Sequence, residues 1–352
     1  MGKNNRRGLI LTSLAVYFTY LIHGIGASIM GQYKTELALD WGAKLPEIGV
    51  VDVGEVVIVI AALGLGRLIA LPVSGPVSDK LGRRLSGVIG CICYVGYLVG
   101  IAFSGSAQMA YAFAVLGGIA NSFLDTCVSP TCMEIYEDNA SVANLFTKFA
   151  ICIGQFMLPF LTGIVAASHL SYRTIFIVAG VAILVDGILL LFLPFPARTA
   201  ARQKTTGKKK QKRSITPAAL AAICIGFTSS STFMLWLNCN QELGKAYGLS
   251  NPALIQSFYA VGTAVAILAT ASFIKKGLNE KSILILYPVI SLVMLALCYF
   301  IQIPQICLLG GFVIGYAGAE GPRMVLLLNM AVTAVGILLA VFVKYSHKKQ
   351  AG

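Results

Sequence analysis

The chain has 352 residues, of which 57% are hydrophobic and only 12% charged, with a formal net charge of +13. That balance lies outside the range of water-soluble globular domains and marks a polytopic membrane protein. A membrane β-barrel is excluded too, since barrels are written as segments of about ten residues with alternating polarity, and the apolar runs here are continuous.

A bilayer core of about 30 Å takes roughly 20 apolar residues per helix. In chain order this ruler predicts spans at 8–31, 51–74, 85–104, 107–132, 144–167 and 173–194, then at 215–237, 253–274, 282–301, 303–319 and 324–343. The first follows Lys3, Arg6 and Arg7 as a signal peptide would, but its length, its Tyr17, Tyr20 and His23, and the runs behind it mark an uncleaved span.

Most of the 27 Lys and Arg fall in five clusters: the N-terminal tail, the turn at Lys80, Arg83 and Arg84, the segment Pro196–Ser214, the turn at Lys275, Lys276 and Lys281, and the tail at Lys344, Lys348 and Lys349. Basic residues stay on the cytoplasmic side of a membrane. With the N-terminus cytoplasmic the first four clusters share that side, and with eleven crossings the fifth does not. The place to suspect is Gly318–Arg323, where the tenth run meets the last with almost no loop. The distribution speaks for a membrane orientation signal and against nucleic acid as a partner.

Pro196–Ser214 holds eight Lys and Arg and is the one clear linker. It reads as a solvated cytoplasmic connector against anionic lipid headgroups, dividing the chain into 1–195, a six-helix bundle, and 215–352, a shorter C-terminal bundle. A faint internal repeat crosses it. Gly82 aligns with Gly277 and Lys80 with Lys275, while Ile274 stands at the place of Asp79, and Leu278 and Asn279 at those of the two arginines.

Between the second and third spans the sequence runs Gly75-Pro76-Val77-Ser78-Asp79-Lys80-Leu81-Gly82-Arg83-Arg84. A tight turn needs an unrestricted residue, here Gly82, and a carboxylate at a membrane edge needs a partner, which Arg83 supplies. This stretch resembles the signature loop of the major facilitator superfamily of secondary transporters. The resemblance implies an all-α fold of two helical bundles rocking about a central cavity, with twelve spans where this chain shows eleven. It also implies that Asp79 latches the bundles together, with Arg83 and Glu134 as local partners. The eleventh family span, whose N-terminus often receives that carboxylate, has no counterpart here.

Polar groups inside the lipid core cost several kcal/mol unless paired or wetted. Asp125 is the strongest such candidate. Asp125-Thr126 through Ser129-Pro130 resembles the acid-Thr-x-x-Asn-Pro stretch of the fucose-permease-like sugar/proton symporters, with Ser129 in place of Asn; in that branch the acid takes part in proton coupling. The alternative reading is that Asp125 pairs with Arg67, at similar depth on the second span. Asp186 and His23 are further candidates for proton handling; His23 lies near the place where the sugar symporters keep an acid. Asp52 and Glu55 sit near the outer end of their span and read as wet, and Lys148, placed at the start of the fifth span, reads as snorkelling to the headgroups.

Hydrogen-bonding and aromatic groups on spans expected to face the cavity are Tyr17, Tyr20, Asn121, Gln155, the run Thr228–Thr232 with Trp236 and Asn238, Gln256, Tyr259 and Tyr316. Aromatic faces and amides suit a neutral hydroxylated solute. Each residue taken singly is also compatible with ordinary helix packing.

The sequence has no phosphate-binding Walker loop, and Gly64-Leu65-Gly66 lies within an apolar span where a dinucleotide turn cannot form. Nine cysteines without a CxxC pair and three scattered histidines give neither a disulfide frame nor a metal site. No enzyme activity, cofactor or metal is therefore expected. The expected function is movement of a small polar solute across the plasma membrane with protons, the resemblance pointing to a sugar. Two alternatives stay open: an efflux protein for amphipathic compounds, and a non-transporting, internally deleted protein or solute sensor.

Overall fold

The computed structural model describes residues 3–43, 51–196, 240–275 and 280–317, and among them every regular element is helical. The helices are α1 Lys3–Gln32, α2 Lys34–Asp40, α3 Gly54–Leu81, α4 Arg83–Phe103, α5 Ala107–Ile135, α6 Ala140–Ala167, α7 Arg173–Phe192, α8 240–246, α9 Leu254–Lys275, α10 Glu280–Phe300 and α11 Pro304–Ala317. A single 3₁₀ turn, Glu137–Asn139, joins α5 to α6. The first six predicted spans and the eighth to tenth each coincide with one helix. Among the described residues six helices are long and apolar enough to cross a membrane: α1, α3, α4, α5, α6 and α7. The seventh and eleventh predicted spans, the basic linker, the Gly318–Arg323 junction and the C-terminal tail lie outside the described residues.

The chain divides into two compact units, Met1–Pro196 and Ala197–Gly352. In the first, α3 packs on α5, α4 on α5 and α7, and α1 on α6. These helices are apolar nearly all round, so hydrophobicity alone does not choose their neighbours. Glycines do. A Cβ at Gly66 would lie 2.0 Å from the Val115 carbonyl oxygen, and one at Gly118 would lie 2.0 Å from that of Leu63. Gly24 and Gly154 do the same for α1 and α6, at 2.2 Å from the Ile151 oxygen and 2.1 Å from the Leu21 oxygen. Only residues without a side chain let backbones approach so closely.

The second unit uses the same device. A Cβ at Gly262 on α9 would lie 2.0 Å from the Phe312 oxygen of α11, and one at Gly315 2.0 Å from that of Tyr259. The Thr263 hydroxyl donates to the Gly315 carbonyl oxygen at 2.9 Å across this crossing. Leu243, Ile255, Tyr259, Met294, Leu295, Cys298, Cys307 and Ile314 form its core.

Two boundaries and one added helix differ from the sequence expectation in ways that bear on the site. Helix α3 runs seven residues past the predicted end at 74, carrying Pro72, Gly75 and Pro76 inside it. Asp79 and Lys80 thus belong to the last turn of the helix, and the expected loop contracts to Gly82. Its φ of 110° and ψ of 154° occupy a region open to glycine. Helix α6 begins four residues before the predicted start at 144. An unpredicted helix, α2, closes the end of the unit opposite Gly82. Its Leu37 and Ala38 are buried, the Trp41 indole donates to Ser104 Oγ at 3.1 Å, and Tyr33 packs on Tyr172 and Phe176 with ring centres 5.5 and 6.4 Å away. Beside them Asp40 Oδ2 accepts from the Tyr172 hydroxyl at 2.5 Å and from Arg173 Nη2 at 2.7 Å.

Candidate functional site

The α3/α5 crossing fixes the first pair of site residues. Gly66 immediately precedes Arg67, and Gly118, Asn121, Ser122, Asp125 and Ser129 share one face of α5 by their spacing of three and four. The Ser122 hydroxyl donates to the Arg67 carbonyl oxygen at 3.0 Å, setting the register of the two helices. One turn further along α5, Arg67 Nη2 donates to Asp125 Oδ2 in an ion pair. The alternative weighed for Asp125, partnership with Arg67, is therefore realised in the geometry. The pair is open: the side chains are 44% and 25% exposed.

The α1/α6 crossing supplies the rest. The Tyr20 hydroxyl donates to Asp125 Oδ1 at 2.5 Å, so both carboxylate oxygens have donors. Tyr20 is fully buried, and its ring lies beside His23, with centroids 5.7 Å apart. His23 packs edge-on against Tyr94 of α4, whose hydroxyl donates to the His23 carbonyl oxygen at 3.3 Å. His23 stands beside Asn121, and His23 Nδ1 and Asn121 Oδ1 are both buried without a hydrogen-bond partner. Lys148 Nζ lies 5.5 Å from the centroid of the Tyr20 ring.

Lys148 does not start its helix, as the sequence expectation had it. Because α6 starts at Ala140, Lys148 is two turns into the helix, about 12 Å from its beginning at 1.5 Å per residue. It stands over Tyr20 rather than at a helix end. A signal was present in the sequence: Lys148 and Gln155 are seven residues apart and share a helix face.

The other predicted residues are distributed as follows. Tyr17 donates to the Ala143 carbonyl oxygen at 3.2 Å, and Gln155 Nε2 reaches Ser28 Oγ at 3.5 Å. Both tie α1 to α6. Asp186, fully buried on α7, accepts from the Thr19 hydroxyl of α1 and stands apart from the Asp125 cluster. Asp52 and Glu55 are exposed at the start of α3, and Asp52 Oδ1 accepts from the Gly54 amide at 2.8 Å. In the second unit Asn240 Nδ2 donates to Gln256 Oε1 at 2.9 Å, both residues being buried with Tyr259. Tyr316 is half-buried on α11. Trp236, Asn238 and the Thr228–Thr232 run lie outside the described residues.

At the Gly82 turn, Arg83 joins two carboxylates. Its Nη1 donates to Asp79 Oδ1 at 2.7 Å and to Ser78 Oγ at 2.8 Å, and its Nε and Nη2 donate to Glu134 Oε1 at 3.3 and 3.1 Å. The Ser78 hydroxyl donates in turn to the Thr126 carbonyl oxygen at 2.6 Å, one residue from Asp125. Arg84 Nη2 donates to the Leu193 carbonyl oxygen at 2.8 Å and lies over the Phe195 ring at 5.6 Å. Among the described residues no group of His, Cys, Asp and Glu is arranged to hold a metal, and the described cysteines are free.

Comparison with known proteins follows the same lines. Residues 16–319 match the signature described as Major Facilitator Superfamily. The inner membrane transport protein YdiM of Escherichia coli strain K12 is 31% identical over 329 residues, covering 91% of this chain and 79% of the relative. The uncharacterized MFS-type transporter YfkL of Bacillus subtilis strain 168 is 29% identical over 322 residues, covering 88% and 78%. Among solved structures, the inward-open xylose transporter XylE from E. coli superposes with a TM-score of 0.72 at 15% identity, covering 95% of each chain.

Proposed function

Because this chain belongs to the major facilitator superfamily, we propose that it is a proton-coupled secondary transporter whose coupling acid is Asp125. The observation that carries the reading is the Arg67–Asp125 pair with its third partner, Tyr20. An acid and a base on membrane-spanning helices, part exposed and matched by a hydroxyl donor, form a group that can be either closed as an ion pair or opened by a proton. Protonating Asp125 removes the charge that holds Arg67. Deprotonating it restores the pair. A site with two such states is what a symporter needs in order to bind solute and proton together.

The solute is a small polar molecule. Sugars belong first in the test panel, since XylE, whose fold this chain shares, is a xylose transporter. His23 and Asn121, beside the pair, are placed to meet solute hydroxyls; Gln256 with Asn240, Tyr259 and Tyr316 are candidates in the second unit. The Asp79–Arg83–Glu134 cluster serves as the conformational latch, with Gly75, Lys80, Gly82 and Arg84 shaping its segment. Asp186, tied to Thr19, takes the lesser role in proton handling.

In this reading the protein acts in the plasma membrane with its N-terminus and the Gly82 turn in the cytoplasm, and the basic segment 196–214 supplies charge for anionic lipid headgroups. The test is uptake into proteoliposomes under an inward proton gradient, with Asp125→Asn as the variant. Uptake linked to the gradient is expected in the wild type and lost in the variant. Unchanged pH dependence in Asp125→Asn removes Asp125 from the coupling.

A further inference from the structure

The cluster around Asp125 is unbalanced in charge. Around it stand Arg67 from α3, Tyr20 and His23 from α1, and, across the Tyr20 ring, Lys148 from α6, with Cys152 beside Lys148 and Tyr94 of α4 behind His23. Asp186 on α7 has Thr19, Cys91 and Cys127 as its neighbours and stays outside the group. Two cations therefore stand beside one carboxylate. None of the ion pairs among the described residues involves Lys148, whose contact is the Tyr20 ring. Arg67 and Lys148 are both exposed. An excess cation at membrane depth is costly unless an anion or water meets it.

We propose that the solute carries a carboxylate, and that it binds by replacing Asp125 on Arg67. The proposal rests on Asp125 being the coupling acid and adds the class of solute. With Asp125 ionised, its Oδ2 occupies the guanidinium, and a second carboxylate entering the site would meet a like charge. A proton on Asp125 removes that charge and frees the planar fork of Arg67, whose geometry matches a carboxylate with two parallel hydrogen bonds. Lys148 adds a point charge on the same side. His23 Nδ1 and Asn121 Oδ1, buried without hydrogen-bond partners beside the pair, are groups that a solute hydroxyl entering the cluster would satisfy. The solute class is thus a small hydroxylated monocarboxylate, of which sugar acids are examples, and each anion enters with one proton.

This changes the earlier expectation of a neutral solute. That expectation weighed the aromatic and amide groups and placed Lys148 at the headgroups. With Lys148 over the Tyr20 ring and Arg67 on Asp125, the balance of charge at the site favours an anion.

The test uses the full chain in nanodiscs and matched probes differing in charge: D-gluconate and D-glucuronate against D-glucose, and benzoate against benzamide. Binding is followed by calorimetry in mildly acidic and mildly alkaline buffer. The acids are expected to outbind their neutral partners, more strongly at the acidic pH. Arg67→Gln is expected to weaken the acids by roughly ten- to a hundredfold, the loss of a charge-assisted pair of hydrogen bonds, with little change for the neutral probes. Arg67→Lys keeps part of the affinity and guards against a folding defect, and Lys148→Gln weakens acids about tenfold. Asp125→Asn is expected to bind acids equally at both pH values.

Acids binding no better than neutral probes, or no probe binding, overturns the solute class and leaves the coupling role of Asp125 standing. Acid binding unchanged in Arg67→Gln overturns the site. Proton-linked uptake that survives in Asp125→Asn overturns the coupling reading, and the replacement mechanism falls with it.

Discussion

Asp40 is the residue whose ionisation can be read most directly. Burial pushes its carboxyl upward, but hydrogen bonds from Tyr172 and Arg173, with the charge of Arg173, outweigh this and hold it below the ordinary carboxylate value. A group depressed in the folded state contributes stability above its unfolded value and loses it as pH falls through the folded one. Asp40→Asn should therefore lower thermal stability at neutral pH by under about 1 kcal/mol, as befits a part-exposed pair. The gap between variant and wild type should close as the pH drops below about 4. A constant gap across the acid range would assign the effect to packing instead.

Single residues were also where the sequence was hardest to interpret. Arg67 and Asp125 could be set side by side because both lie at comparable depth in clearly marked spans. Tyr20 could be named, but not its use: hydropathy places a residue in the slab without saying which neighbour its hydroxyl meets. The crossing at Gly24 and Gly154 decides that, by bringing α1 onto α6. The contact of Lys148 with the Tyr20 ring was hidden for the same reason, since hydropathy does not say that α1 lies against α6.

At the scale of elements, the described spans were legible because each is an apolar run bounded by charge or glycine. Their pairing was less so. The packing contacts run through glycines that look interchangeable in sequence but are not in space. Gly118→Ala places a methyl group against the Leu63 carbonyl, whereas Gly163 on α6 has open space around the corresponding position. Gly118→Ala should cost about 1–3 kcal/mol of stability by forcing α3 off α5. Gly163→Ala should be neutral or slightly stabilising through helix propensity. Denaturation of the two variants in detergent checks this, and equal behaviour would mean that the crossing tolerates separation. Helix α2 escaped notice for a different reason: seven residues of mixed polarity between two spans carry no periodic signal long enough to read.

At the scale of the molecule, the internal repeat was faint in sequence and is plainer in structure. The sequence aligned the turns at Gly82 and Gly277. The structure adds a glycine crossing between the second and fourth spans, α3 and α5, in the first unit, and between α9 and α11 in the second. Side chains diverge more readily than the contacts they leave room for, which is why the repeat persists as two glycine pairs. Orientation is testable on the same scale. A single cysteine introduced at Lys80, in a chain otherwise free of accessible thiols, should react with an impermeant maleimide in inverted vesicles and be protected in intact cells. The reverse pattern would invert every assignment of inside and outside made from the basic clusters.

The joint between α3 and α4 consists of Gly82 alone. A linkage one residue long has no slack, so these rods cannot slide past each other without breaking the Arg83 contacts on either side of it. Movement of either rod at this joint is therefore passed to the other, and through the bonds from Arg83 to Glu134 on to the end of α5.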